Sequence, residues 1–417
     1  MNTQASPREH PRDWHWNFWF TLPIYPYRQR RTLRTEVIPN TLWTFDQLQG
    51  IFYVVVPIRM TVVKLIAGGL LVYSAVAPTL ECIRLMRELE AAHGEVKYII
   101  LPTASGLEHK VFMGPFARKF PQAQVFVVPQ QWSYPVDLPL SWLGLPGRRT
   151  QVLPENSSQT PFGDEFDYAI MEPLKLGLGF FGEVAFYHRR SHTLLVTDAV
   201  FSIPETAPPI IQLDPYPLLF HAKDSPMEKV IDTPANRQKG WQRICLFALY
   251  FQPSTLATPT LAEAWQEAKQ APDRTPKAYF GLYPFQWQAD WLVSFTALQD
   301  GGRLVVAPIL QTLILNRAPQ ATLAWVDRLA QWDFQQVISC HFAAPMSATP
   351  EDLRLAFRFL QPSSEGLLPQ EIVDTAIKNN YNSLKEKDIN LLKEIDRTLV
   401  KRGISPPVIT PPALKKS

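Results

Sequence analysis

Cysteine is scarce in this chain of 417 residues. Cys82, Cys245 and Cys340 are all it has, and none stands at a paired spacing. That pattern argues against a disulfide framework or a zinc knuckle and fits a reducing compartment. An excess of one charge is also missing: 41 Lys and Arg face 38 Asp and Glu, a net charge of +3. The basic face of a nucleic-acid-binding module is therefore not expected, nor is a nucleic-acid partner. Long apolar runs are lacking too. The longest, such as IAGGLLVYSAVA at 66–77, fall short of the ~20 residues of a helical membrane span. The first residues lack the apolar core of a signal peptide. The expectation is a cytoplasmic protein, with peripheral attachment to an internal membrane left open. No repeat of solenoid period is visible.

The composition is otherwise that of a globular protein with a sizeable core: 46% of residues are apolar. The length suits one large domain with extensions, or two domains. Proline is abundant, with 39 residues scattered along the chain, which predicts many short elements and irregular connections.

Residues 1–34 form an arm in which Trp14, Trp16, Phe18, Trp19 and Phe20 precede Arg28, Arg30, Arg31 and Arg34. Such rings can cover an apolar part of the core. They also suit a lipid headgroup layer or a protein complex, with arginine facing anionic lipid. From residue 35 to 361 strand and helix signals alternate. GIFYVVVPIRMTVVKL, GGLLVYSAV, VKYIILPT and AQVFVVP read as strands, rich in β-branched and aromatic residues. PTLECIRLMRELEAAHG has the spacing of a half-exposed helix stopped at Gly94. VFMGPFARKFP reads as a short helix and 130–175 as loop. GEVAFYHRRSHTLLVTDAV reads as two strands around a turn at Arg189–Ser191. Further helices are expected around Trp241, Trp265, Trp291 and Trp325, and an apolar run ends at His341. This is a layered α/β pattern. Residues 362–417 are a charged helix with a thin stripe (Leu384, Ile389, Leu391, Leu392, Ile395, Leu399), stopped at Gly403 and followed by a proline-rich tail. The stripe is expected to dock on the chain's own domain.

The order of elements, and the loop TASGLEH at 103–109 after VKYIILP, resemble the metallo-β-lactamase superfamily. The resemblance implies a four-layer αββα sandwich with mixed sheets. Its first metal motif, T-H-x-H-x-D-H, places two histidines on Ala104 and Gly106, the aspartate on Glu108 and the last histidine on His109. The third-motif histidine falls on Gly179, LLVTD supplies Asp198, and VISCHF supplies His341. In binuclear members one metal uses the positions of Ala104, Gly106 and Gly179, none of which can bind through its side chain. The positions serving the other metal are Glu108, His109, Asp198 and His341, and each carries a possible ligand. The resemblance thus implies a mononuclear site for one divalent metal, zinc or iron, which suit imidazole and carboxylate. Glu for Asp adds one methylene, so the loop or the ion has to shift. The implied chemistry is hydrolysis of an ester, thioester, amide or phosphoester in an unidentified small-molecule substrate. The alternatives are an iron-dependent oxidoreductase, or a non-catalytic scaffold or assembly factor. LEHKVFMGPFARKFPQAQVFV, QWSYP and KGWQRICLFALYF further resemble an uncharacterised family of photosynthetic organisms, which would link a scaffold to photosynthesis.

Each candidate also has a structural reading. His341 could be a buried histidine bonded to backbone, Asp198 a turn cap, Glu108 a charge at a helix N-terminus, and His109 a packing residue. Of the rest, His188 and His192 flank a turn and are expected to be exposed. His221 lies in a loop and could approach the site. Glu183 could replace a lost ligand or support one. Lys110 is either solvated or placed beside an anionic substrate.

Overall fold

The computed structural model describes residues 10–104, 107–131, 138–177, 179–361 and 384–408. Seven strands form a first sheet in chain order: β1 (Leu33–Ile38), β2 (Leu42–Ile51), β3 (Val54–Lys64), β4 (Leu70–Tyr73), β5 (Val96–Leu101), β6 (Gln124–Val127) and β7 (Thr150–Val152). The first four pair antiparallel; β4 through β7 run parallel. Parallel neighbours need crossovers. Helix α1 (Leu80–His93) carries the chain from β4 to β5, and α2 (Leu107–Lys119) from β5 to β6. Thr79 caps α1 by accepting from the Cys82 amide, and Gly94 ends it at φ 95°.

The second sheet uses β8 (Phe166–Ile170), β9 (Val184–His188), β10 (Thr193–Val196), β11 (Gln336–Ser339) and β12 (Met346–Ser347), in the order β12-β11-β10-β9-β8. Only β10 and β11 are parallel within it.

Alternation along the strands sorts side chains into layers. Leu71, Tyr73, Ile100 and Phe126 of the first sheet meet Phe166, Phe186, Leu195 and Ile338 of the second. The outer face of the first sheet, with Phe45, Met60, Val72 and Ile99, packs on Met86 of α1 and Phe112 and Phe116 of α2. The outer face of the second, with Ala185, Tyr187, Val196 and Val337, packs on α3 (Pro234–Tyr250) through Trp241 and α4 (Pro319–Leu329) through Trp325. The layers run helix, sheet, sheet, helix, with both sheets mixed. This is the four-layer αββα sandwich that the sequence leads one to expect.

Several local expectations are corrected. The run at 50–65 is not one strand: β2 turns into β3 at Phe52 and Tyr53, both left-handed with φ of 54° and 62°. The stretch 130–175 contains β7 and β8. His188 is buried, its ring 4.9 Å from Phe166 of β8.

The described parts of the N-terminal arm and of the C-terminal segment lie against the sandwich. Trp16 is buried edge-on to Phe112 at 5.5 Å, whereas Phe18, Trp19 and Phe20 stay exposed. Helix α5 (Asn390–Lys401) docks in cis: Leu392 is fully buried in the core beneath the second sheet, and Asp396 pairs with the buried Arg317. The chain turns at Gly403, φ 67°. The first and last parts of the expected C-terminal segment, 362–383 and 409–417, lie outside the described residues. Among the described residues no helix is long and apolar enough to cross a membrane.

Candidate metal centre

Strands β10 and β11 are parallel neighbours that finish level, with Val196 opposite Ser339. Two residues further along each chain come Asp198 and His341, so both side chains emerge at the same end of the second sheet. The first sheet joins this edge. The Ala104 amide donates to the Gly182 carbonyl and the Val184 amide to the Pro102 carbonyl, each at 2.8 Å. The chain then enters α2, whose first turn carries Glu108. Glu108 and His109 are therefore helical residues rather than loop residues.

The three side chains converge. His341 Nε2 lies 2.9 Å from Asp198 Oδ1 and 3.8 Å from Glu108 Oε1. One ligand atom from each falls within 4.8 Å of the others. Glu108 and Asp198 side chains are each about a fifth exposed (23% and 21%), so the group opens to solvent.

His341 is held from behind. Its Nδ1 lies 2.8 Å from the Pro57 carbonyl. That contact assigns the Nδ1 proton to the carbonyl and turns Nε2 toward the two carboxylates. Buried Arg59, two residues along β3, donates to the Ser339 carbonyl at 2.8 Å and the Phe342 carbonyl at 3.0 Å, and its Nε pairs with Asp46 at 2.8 Å. The turn bearing His341 is thus clamped on both sides by one guanidinium.

Asp198 has its own support. The buried Glu183 carboxylate accepts from the amides of Thr197 (3.2 Å), Asp198 (3.0 Å) and Ala199 (2.8 Å). Glu183 is a positioning residue for the Asp198 turn. Burial, reinforced by the Asp198 charge, pushes its carboxyl up to about 7.

The electrostatics follow from close packing of unlike groups. Burial raises the Glu108 carboxyl, Asp198 raises it further, and His341 opposes them. Burial acts upward on Asp198 as well, but its hydrogen bond and attraction to His341 win and hold it below the usual carboxylate range. Burial acts downward on His341, and the hydrogen bond to Asp198, with both carboxylates, outweighs it and raises the imidazole.

His109, the fourth expected ligand, stands one step back. Its ring centroid is 6.4 Å from that of His341, and it is not one of the three residues that converge. Its Nδ1 lies 3.1 Å from the Ala75 carbonyl, while its buried Nε2 has no hydrogen-bond partner among the described residues. Burial pushes this imidazole down to about 4.

The donor set fits a single divalent ion. Atoms that each sit about 2.0–2.2 Å from one ion are at most about 4.4 Å apart. The two His341 distances meet that condition, and the third edge lies within 4.8 Å. His109 Nε2 supplies a buried lone pair nearby. The extra methylene of Glu108 is taken up by its place in the first turn of α2, from which Oε1 reaches the group.

At the other metal's positions, Ala104 is buried and its carbonyl accepts from Lys110 Nζ at 2.5 Å. Lys110 is therefore buried, neither a solvated lysine nor an open anchor for substrate. Gly179 accepts from the Leu176 amide through its carbonyl, and Gly106 lies outside the described residues. His221 is buried on the helix Tyr216–Ala222, where its Nε2 lies 3.1 Å from the Phe52 carbonyl at the β2–β3 turn. It takes no part in the centre. Sequence reasoning missed Pro57 and Arg59. The signal for Arg59 was present: a lone arginine on the inward alternation of an apolar strand needs buried partners.

In sequence, residues 39–359 match a family described as a domain of unknown function, DUF4336. No curated protein matches the chain. Among solved structures, the chain is similar to a metal-soaked flavodiiron core from Synechocystis sp. PCC6803, with 9% identity and a TM-score of 0.40, covering 79% of this chain and 61% of that one. It is also similar to a flavoprotein from Thermotoga maritima, with 8% identity, a TM-score of 0.40 and coverage of 79% and 60%. A metallo-β-lactamase from Pontibacter korlensis has 12% identity and a TM-score of 0.29, covering 40% of this chain and 70% of that one. The chain thus spans less than two thirds of the flavodiiron core and of the flavoprotein.

Proposed function

The chain belongs to the DUF4336 family, and on that premise we propose that it is a mononuclear metalloprotein with hydrolytic chemistry. Glu108, Asp198 and His341 are the ligands, and His109 is available as a fourth. The observation that carries this reading is the convergence of three ligand atoms within 4.8 Å from three distant parts of the chain. When bound, a zinc or iron ion supplies Lewis acidity and activates water near neutral pH.

The chain's own residues prepare the place. Pro57 fixes the His341 tautomer, Arg59 holds the His341 turn, and Glu183 holds the Asp198 turn. The partial exposure of Glu108 and Asp198 gives water access to the group. The substrate classes are esters, thioesters, amides and phosphoesters. The test is a hydrolysis screen over these classes with zinc-loaded and iron-loaded protein. Turnover that disappears in Asp198→Asn and His341→Ala supports the reading; turnover unchanged in both refutes it.

A second reading is favoured by one observation. Both ring nitrogens of His341 have protein partners, Nε2 meeting Asp198 at 2.9 Å and Nδ1 the Pro57 carbonyl at 2.8 Å. A protein that keeps this pair as a buried latch would be a scaffold, for example in assembling a photosynthetic complex. Such a protein would bind neither zinc nor iron above trace level.

A further inference from the structure

The N-terminal arm presents a group of exposed rings that the metal chemistry does not use. Phe18 is 46% exposed, Trp19 37%, Phe20 64% and Tyr27 43%. They are contiguous: Phe18 faces Phe20 at 6.3 Å, and Trp19 meets Tyr27 edge-on at 6.5 Å. Tyr25, its ring 6.2 Å from that of Tyr27, bridges Gly50 in antiparallel fashion, and the next residue of β2, Ile51, is 71% exposed.

The arm is also a firm platform. His15 bridges Gln29, buried Trp16 packs on Phe112, and buried Arg30 lies 5.1 Å over the same ring while donating to the Leu48 carbonyl. Rings fixed in this way and left in water lose favourable burial. The arm itself is mainly basic, and half-buried Asp214 lies against it, accepting from the Tyr25 hydroxyl. Arg12 and Arg28 are exposed, Arg31 is half-buried, and the only acid among residues 10–34 is the half-buried Asp13.

We propose that this face seats the protein on an anionic lipid bilayer. Tryptophan, tyrosine and phenylalanine enter the headgroup boundary, and Arg12 and Arg28 meet lipid phosphates. Charge complementarity selects this occupant: a purely apolar protein partner would not call for an arm with so few acids. The proposal is independent of the metal reading.

The test is co-sedimentation of the full chain with vesicles of phosphatidylcholine alone and of phosphatidylcholine mixed with phosphatidylglycerol. The wild type is expected to sediment with the mixed vesicles and to be released by high salt. Arg12→Gln with Arg28→Gln should lower partitioning about 30-fold, at about fivefold per charge near an anionic surface. Phe18→Ser, Trp19→Ser, Phe20→Ser should lower it by about 100-fold or more. These side chains are exposed, so circular dichroism and thermal unfolding should match the wild type. Equal binding to neutral and anionic vesicles, no binding to either, or undiminished binding by the triple variant would each overturn the proposal.

Discussion

Arg59→Met separates the stability of the fold from the placement of His341. The guanidinium sits in the inter-sheet layer, pairs with Asp46 at 2.8 Å and donates to two carbonyls that flank His341. Its removal leaves the largely buried Asp46 carboxylate without its cation, which typically costs about 3–5 kcal/mol. The freed carbonyls of Ser339 and Phe342 add about 1 kcal/mol each. Urea unfolding should therefore register a loss of about 5–7 kcal/mol. Loss of a support of this kind lowers metal affinity by about 10–100-fold. A double variant, Asp46→Asn with Arg59→Met, removes the stranded charge but leaves both carbonyls free. It should regain most of the stability and little of the metal affinity. If the single variant costs under about 1 kcal/mol, or the double variant recovers affinity together with stability, the clamp does not position His341.

Acid should destabilise the protein through histidines buried in neutral form. Burial pushes His221 down to about 3 and His188 down to about 4. Below the unfolded value of about 6.5, the unfolded chain binds protons that the folded chain refuses. Stability is thus fully present above about pH 6.5 and is lost as pH falls toward 4, by about 3 kcal/mol at His188 alone. In urea unfolding at about pH 7.5 and about pH 5, His221→Gln should show a smaller drop than wild type; an equal drop contradicts the assignment. Gly240→Ala should be severe, because a Cβ there would lie 1.8 Å from the Leu218 carbonyl oxygen. Helix α3 would have to part from the helix Tyr216–Ala222, at about 3 kcal/mol; a change below about 0.5 kcal/mol would mean that the two helices are not packed in this way.

Strands, and the candidate residues that follow their apolar runs, were legible in the sequence. LLVT before Asp198 and VISC before His341 mark strand ends, and parallel pairing of those strands is what brings the two residues level. The helix Leu80–His93 showed its stripe and its glycine stop. The β2–β3 turn was not legible, because Phe52 and Tyr53 adopt left-handed backbone without the Asn or Gly that signals such a turn. His188 flanks the Arg189–Ser191 turn, which pointed to exposure, whereas Phe166 of β8 covers its ring. The support of the centre was the least visible part, since Pro57 acts through a carbonyl and Arg59 reaches residues 280 and 283 positions away. Backbone acceptors leave no mark in composition or spacing.

The most direct test is the metal content of the purified full chain, read by elemental analysis after loading with zinc or iron and removal of free ion. A mononuclear centre predicts about one equivalent in the wild type and loss of that equivalent in His341→Ala and Asp198→Ala, both still folded by circular dichroism. Trace metal in the wild type, or one equivalent retained in both variants, would contradict it.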